Sequence, residues 1–418
     1  MSGTLAMILA GGEGTRLLPL TASRSKPAVP FGGSYRLIDF VLNNFVNSGI
    51  IRIFVITQYK SQSLYMHLKN GWSVSGIPNC FIDTVPAQMR VSKEWYQGTA
   101  DAIFQNLTFI KSQYPDNVCV FGSDHIYKMN VRNMLDFHNL RLADLTVAAI
   151  RLPAAMCAKS FGVIEIDSEN RMIGFEEKPA HPKEIPGDPG FCMVSIGNYI
   201  FRNEILGKVL SDDQNDENSS HDFGKDIIPK MYPEGNVYVY DLSHNSINGE
   251  SGETYWRDVG SIDAYWEAHM DLLGTHPKFI LNNAQWPLHT FYPPLPPANF
   301  TDTAKHRSHV SKSLISAGCV INGAFIENSV MGFRCVADDG AEVVDSVLLG
   351  DVKIGTGCKI RKAIIDRYVE IAPGFTLGHD PVADLKLVDH SNPDGIRISP
   401  NGIIVIPKGM RLGFGTGN

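Results

Sequence analysis

The sequence has no CxxC pair, no basic block, no long apolar run and no local Ser-His-Asp or Cys-His grouping. Each absence excludes something. Seven cysteines, Cys80, Cys119, Cys157, Cys192, Cys319, Cys335 and Cys358, are odd in number and suit neither a disulfide framework nor a zinc knuckle. They read as reduced, buried thiols of a cytoplasmic protein. Apolar runs fall short of the ~18 residues of a membrane span, and the N-terminus lacks the basic start and apolar core of a signal peptide. A net charge of −7 without a basic stripe argues against a nucleic-acid scaffold. No membrane and no nucleic-acid partner is therefore expected. An anion can still be held locally by a few cations and backbone N–H groups.

A chain of 418 residues suggests two or three domains. Up to about residue 275, strand-like and helix-like segments alternate. "LAMILA" reads as a buried strand that stops at a glycine loop. Ile38 to Ser48 has helical spacing, and Gly49 can close that helix. Residues 51–59 read as a strand, 99–114 as one helix, 117–124 as a strand ending in Asp124, and 144–152 as a further strand. Such alternation predicts an α/β fold, a Rossmann-like, mostly parallel sheet covered on both faces. Ligands of these sheets sit at the carboxyl ends of the strands.

Near residue 275 the composition changes. "PKFILNNAQWPLHTFYPPLPPANF" is rich in proline and aromatics and reads as an extended linker. A different rhythm follows. Leu348, Ile354 and Ile360 are six apart, as are Ile365, Ile371 and Leu377, with the two runs out of register by one. A six-residue period predicts a left-handed parallel β-helix, of about three coils at ~18 residues each. The expected division is 1–275 catalytic domain, 276–306 linker, and 307–418 β-helix with a C-terminal tail.

The opening loop, "LAGGEGTRLLPLTASRSKP", carries the chemistry. Glycines after a strand let backbone N–H groups turn onto a phosphate. Neither the G-x-G-x-x-G dinucleotide fingerprint nor a G-K-[ST] P-loop is present. Arg16 can fork onto phosphate oxygens and Lys26 can add charge from the far side. Glycines alone are common at strand turns; the combination with Arg16 and Lys26 is specific.

These residues carry a resemblance. "LAGGEGTRLLPLT…KPAVPFGG" is similar to the signature of sugar-nucleotide pyrophosphorylases. "EWYQGTADAI", "GSDHIYKM", "FGVIEID", "FEEKP", "HDFGKDIIP" and "YWRDVGSIDAYW" narrow the resemblance to bacterial glucose-1-phosphate adenylyltransferases (ADP-glucose pyrophosphorylases), from about residue 5 to about residue 375. The resemblance implies that ATP and α-D-glucose 1-phosphate are joined into ADP-glucose and pyrophosphate with Mg2+, supplying a glucosyl donor for glycogen synthesis. It implies a cytoplasmic, allosteric homotetramer. It assigns Gly11, Gly12, Gly14 and Thr15 to the nucleotide phosphates, with Arg16 and Lys26 gripping the triphosphate. Gln58, Gly98 and Thr99 would line the base pocket and Tyr96 would cover the nucleotide sugar. Asp124 and Asp258 would hold Mg2+, an ion that prefers a few carboxylates plus substrate phosphates. Lys178 would bind the phosphate of glucose 1-phosphate, and Gly162, Glu177 and Ser195 the sugar. His125 reads as structural, because a phosphate monoester with a second pKa of about 6 is already an anionic nucleophile. The acidic run 211–220 reads as a solvated loop leading into a helix capped near Asp222.

Relatives of this kind bind anionic effectors between their domains. Arg24 and Arg36 match that pattern; Ser23, Pro30 and Ser112 stand where relatives activated by fructose 1,6-bisphosphate carry basic or imidazole side chains. Weak or atypical regulation follows, and an activation of tens of fold by that sugar bisphosphate would refute it. Three rivals are weaker. A non-catalytic regulatory subunit would lack Arg16, Lys26, Asp124, Lys178 or Asp258. An acyltransferase on the β-helix would need a histidine between residues 310 and 378, where there is none. The same chemistry with UTP, dTTP or GTP differs only by pocket hydrogen bonds.

Overall fold

A computed structural model of the chain describes residues 3–74, 76–88, 95–250, 252–389 and 391–414. Glu94, first residue of one quoted motif, lies outside them. The N-terminal half is built on a nine-stranded sheet. At its centre Thr4–Ala10 runs parallel to Arg52–Thr57 on one side and to Asn117–Gly122 on the other, and Arg52–Thr57 is parallel to Phe81–Pro86. The remaining strands make the sheet mixed. Phe191–Arg202 pairs antiparallel with Asn117–Gly122, with Leu145–Pro153 and with Gly162–Ile166. Two buried clusters cover the two faces: Phe45, Trp72, Phe121 and Tyr127 on one, Met7, Phe54, Val120, Phe201 and Phe223 on the other. The central strands are therefore apolar throughout rather than alternating.

Sequence and structure agree on Leu37–Asn47 as a helix. They differ at 99–114, which forms two helices, Thr99–Phe104 and Leu107–Gln113. The break falls at Gln105 and Asn106, whose side chains bond back to Asp101 and to the Ala102 carbonyl; such local bonds compete with helix continuation.

The C-terminal domain is a left-handed β-helix of three sheets with six, five and six strands among the described residues, parallel except where Arg397–Ile398 pairs with Ile404–Ile406. Among the described residues its coils number five rather than the three expected. The first strand, Asn299–Thr301, pairs parallel with Val320–Asn322 and so lies inside the stretch read as linker. The last coil closes only after an insertion, when Ile404–Ile406 pairs with Ala363–Ile365. The imperfect repeat has a structural cause. The middle coils advance by 17 residues, as in Glu342↔Lys359↔Thr376, and the first by 16, as in His309↔Phe325. One side of each coil is a residue short, and the chain turns there through the left-handed region at Asn328, Asp345 and Lys362 (φ 46, 50 and 51°). Leu348, Ile354, Ile360, Ile365, Ile371 and Leu377 all point into the buried interior.

The proline-rich stretch is packed, not loose. Thr290 donates to Asp39, the His289 carbonyl accepts from Asn43, and Trp286 is buried. Asp39 is itself fully buried and also accepts from Trp72 and pairs with His67. A shared apolar cluster joins the halves, with Phe31, Phe40 and Tyr265 from one and Val330, Val347 and Val405 from the other. Buried inside this junction, Arg24 Nη2 donates to both carboxylate oxygens of Asp366, each at 2.9 Å.

Candidate active site

Three parallel strands end at one edge of the sheet, and the residues just beyond them are Gly11–Gly12, Gln58 and Ser123–Asp124. Register alone brings these together. They line a cavity of about 610 Å³ shared with Lys26, Tyr96, Gly98, Thr99, Glu177, Lys178 and Ser195. Gly14, Thr15, Arg16, Gly162 and Asp258 are not on its wall. They sit beneath or beside it.

Gly14 takes φ 71°, the left-handed region, and a side chain there would meet Lys26 and Thr21 at 3.0 Å; glycine suits both demands. The turn is closed by the Thr21 hydroxyl donating to the Gly14 carbonyl, 2.8 Å. It leads into the short helical turn Thr15–Leu17 that carries Arg16. Lys26 opens a second such turn, Lys26–Ala28, where Pro27 fixes the backbone.

Asp258 arrives from far along the chain through a two-stranded ribbon, Trp256–Asp258 against His125–Tyr127, with Asp258 opposite His125. The result is a tight charged cluster. The Lys26 ammonium is 2.8 Å from Asp124 and 3.6 Å from Asp258. His125 Nε2 is 3.7 Å from Asp124 and 4.0 Å from Asp258. Arg16 is close: Arg16 Nη2 and the Asp258 oxygens lie 2.8 and 3.0 Å from where a Gly260 side chain would begin.

Burial would raise the Asp124 carboxyl, but Lys26 and His125 outweigh it and hold Asp124 below the usual carboxylate range. Burial would lower Lys26; Asp124 and Asp258 more than offset it, and the ammonium is held above its ordinary value. The Lys26 ammonium thus sits between two carboxyl groups. Donor atoms of Asp124, His125 and Asp258 lie within 4.8 Å of one another. Two hard oxygens with space beside them fit a divalent cation of the Mg2+ type, and the imidazole adds a nitrogen that Mg2+ does not require.

The opposite wall differs in character. Phe191–Arg202 is irregular between Ser195 and Tyr199, and that bulge turns Ser195, Ile196 and Gly197 onto the cavity. Lys178 (φ 49°) follows the strand Met172–Glu177, donates its backbone N–H to the Phe161 carbonyl and points its half-exposed ammonium to within 3.3 Å of Glu177. Tyr96 is half-buried, and burial pushes its phenol up; its oxygen accepts from Asn106, 2.9 Å.

Arg24 and Arg36 stand away from this cavity, at the junction of the halves. Burial, then Arg24 and Arg367, lower the Arg36 pKa to about 10. Lys408 is pulled down by burial and the same arginines. Arg24 Nη1 is buried without a partner among the described residues.

Sequence reasoning missed several wall residues: Phe161, Tyr199, Trp256 and the run Asp222–Phe223–Gly224. Trp256 packs against His125 and Phe161, ring centres 4.9 and 5.6 Å apart. Asp222 does cap the following π-helix, accepting from Gly224 and Lys225, yet the run is part of the site. For Asp222–Gly224 and Trp256 the signal is in the sequence, within the motifs "HDFGKDIIP" and "YWRDVGSIDAYW".

The nucleotidyl transferase family profile matches residues 5–275, and that of GlmU-like C-terminal hexapeptide domains matches 296–406. The chain is 58% identical over 414 residues to glucose-1-phosphate adenylyltransferase 1 of Vibrio vulnificus (strain CMCP6), covering 99% of this chain and 100% of the relative. Identity is 59% over 414 residues, with the same coverage, to glucose-1-phosphate adenylyltransferase of Aliivibrio fischeri (strain MJ11). It is 46% over 418 residues, again 99% and 100%, to that of Anaeromyxobacter sp. (strain Fw109-5).

Proposed function

The chain belongs to the glucose-1-phosphate adenylyltransferase family of nucleotidyl transferases, and from that membership we propose that it joins ATP and α-D-glucose 1-phosphate into ADP-glucose and pyrophosphate, the sugar nucleotide serving glycogen synthesis. One observation carries the reading: Asp124, Asp258, Lys26 and Arg16 converge at the strand ends, at the mouth of a cavity lined by the nucleotide and sugar motifs.

The sugar phosphate attacks the α-phosphorus of ATP and pyrophosphate leaves. The attacking oxygen is already ionised near neutral pH, so no side chain has to remove a proton. What the site must do is bring anions together and neutralise charge on the leaving group. Gly11, Gly12, Gly14 and Thr15 present backbone N–H groups to the triphosphate. Arg16 and Lys26 supply fixed positive charge there. Gln58, Gly98 and Thr99 border the base, and Tyr96 the ribose. Lys178 binds the phosphate of glucose 1-phosphate, while Glu177 and Ser195 accept from or donate to sugar hydroxyls over the Gly162 strand. Asp124 and Asp258 would hold Mg2+, which when bound offsets charge on the departing pyrophosphate.

Regulation belongs to the same reading. Arg24, Arg36, Arg367 and Lys408 form a cationic junction suited to an anionic effector. The missing cations at Ser23, Pro30 and Ser112 weaken it, each worth ~1.5–3 kcal/mol of charge-assisted bonding. A homotetramer in the cytoplasm completes the proposal. Family membership supports it, as do the outward Phe300, Phe325 and Tyr368 of the β-helix; no described helix is long and apolar enough to cross a membrane. The domain limits 1–275, 276–306 and 307–418 remain part of this proposal, with the first β-helix strand falling inside the connecting stretch.

The test is pyrophosphate release by the purified protein with each nucleoside triphosphate against several sugar 1-phosphates, Mg2+ present. ATP with glucose 1-phosphate should exceed every other pair. A different preferred pair overturns the assignment.

A further inference from the structure

The acidic run before "HDFGKDIIP" is mostly exposed, as its composition implies, with one exception. Its Asp213 is 4% exposed and collects three partners: His221 Nδ1 at 2.8 Å on one oxygen, and the Ser219 hydroxyl at 2.7 Å with the Lys230 ammonium at 3.3 Å on the other. His221 is buried too, and its backbone sits in the left-handed region at φ 54°. A non-glycine residue held there carries backbone strain, so the surroundings must hold it in place. The imidazole bond to Asp213 is one of the contacts that hold it. Bonding of His221 N–H to the Ser219 hydroxyl, 2.9 Å, closes the turn.

This turn has two outputs. Its carbonyl faces the start of the helix Thr99–Phe104, accepting from Ala100 at 2.8 Å and from Asp101 at 3.4 Å. The approach is so close that a side chain on Gly98 would begin 2.2 Å from the His221 oxygen. Gly98 and Thr99 belong to the nucleotide side of the cavity. The next residues, Asp222, Phe223 and Gly224, belong to its other side. Asp222 accepts from the Thr99 hydroxyl, 3.1 Å, and Thr99 in turn accepts from the Phe223 N–H, 3.1 Å. A side chain on Gly224 would begin 2.9 Å from a Glu177 oxygen.

We infer that His221, anchored by Asp213, is a positioning residue that fixes the spacing between the nucleotide and sugar walls of the active site. It touches neither substrate. It acts through the helix start at Thr99 and through Gly224 against Glu177. The inference rests on the assignment of those walls to ATP and glucose 1-phosphate. Because walls grip ground state and transition state alike, loosening them raises KM and leaves kcat nearly unchanged.

The test compares five variants in steady-state assays of the full-length protein with ATP, glucose 1-phosphate and Mg2+. H221A and D213A should each raise KM for both substrates about ten-fold, the size expected for losing one buried hydrogen bond, with kcat per folded site within about two-fold. H221N should behave like the parent protein. The asparagine amide nitrogen occupies the place of Nδ1, and asparagine tolerates the left-handed region. H221Q, whose amide lies one carbon farther out, should resemble H221A. Folded H221A with both KM values unchanged overturns the inference, and so does H221N as impaired as H221A. If H221A does not fold, H221N against H221Q gives the same reading. K178A separates this inference from its premise. Should K178A leave KM for glucose 1-phosphate unchanged, the sugar-wall assignment fails; should it raise that KM while H221A does not, only the positioning role fails.

Discussion

The Lys26 ammonium lies 2.8 Å from Asp124 and 3.6 Å from Asp258, so one cation bridges two carboxyl groups from segments far apart in sequence. Asp124→Asn removes charge from this cluster while preserving its shape. The side chain is about a third exposed, so little stability is at stake. Pyrophosphate release should fall by about 10²-fold or more at every Mg2+ concentration, with the thermal midpoint barely moved. Turnover near the parent level would remove Asp124 from the metal site.

Lys178 is half-exposed and its ammonium lies 3.3 Å from Glu177. Lys178→Ala should raise KM for glucose 1-phosphate ten- to hundred-fold, about what one charge-assisted bond supplies. KM for ATP should stay put. Equal rises for both substrates would contradict a role confined to the sugar phosphate.

Asp366→Ala strands the Arg24 guanidinium in the interior. Breaking one side of a buried pair costs about 3–5 kcal/mol, so chemical denaturation should show a clear loss of stability. Exchanging both partners for apolar residues, Arg24→Met with Asp366→Leu, should lose less than Asp366→Ala alone. Additive losses would mean the pair is not coupled.

His269 is fully buried: Nε2 accepts from the Gly32 N–H at 3.2 Å, and Nδ1 donates to the Tyr265 carbonyl at 2.9 Å. Burial lowers its pKa to about 4, from an ordinary 6.5. The unfolded chain therefore binds a proton that the folded one refuses between pH 6.5 and 4. Stability from this residue is complete above 6.5 and declines as pH falls through that window, by of order 3 kcal/mol in all. In His269→Gln the fall in denaturation midpoint over that range should be shallower. An unchanged slope would exclude His269 as its source.

Much of the site was legible because register is local. A strand followed by glycines, and a strand followed by Ser-Asp, place Gly11 and Asp124 at one sheet edge once the strands are parallel. Asp258 could be named from its motif, but no spacing rule reveals that a short ribbon pairs it with His125. The role of Asp222–Gly224 was hidden for a different reason. An acidic run suggests water, and only tertiary burial turns Asp213 from a solvated charge into an anchor. The coil count went wrong where the repeat is broken, at the linker that hides the first strand and at the insertion before Ile404. Helix 99–114 failed through side-chain bonds that periodicity does not register.

Arg24 and Asp366 are 342 residues apart, which sets an order of events in synthesis. The first turn of the protein leaves the ribosome long before its counter-charge has been translated. Until then Arg24 has only water for company, and the apolar surface around Phe31 and Tyr265 stands uncovered. A nascent chain stopped short of the fourth coil would therefore carry an exposed, sticky seam, and the finished solenoid acts as the cap that seals it.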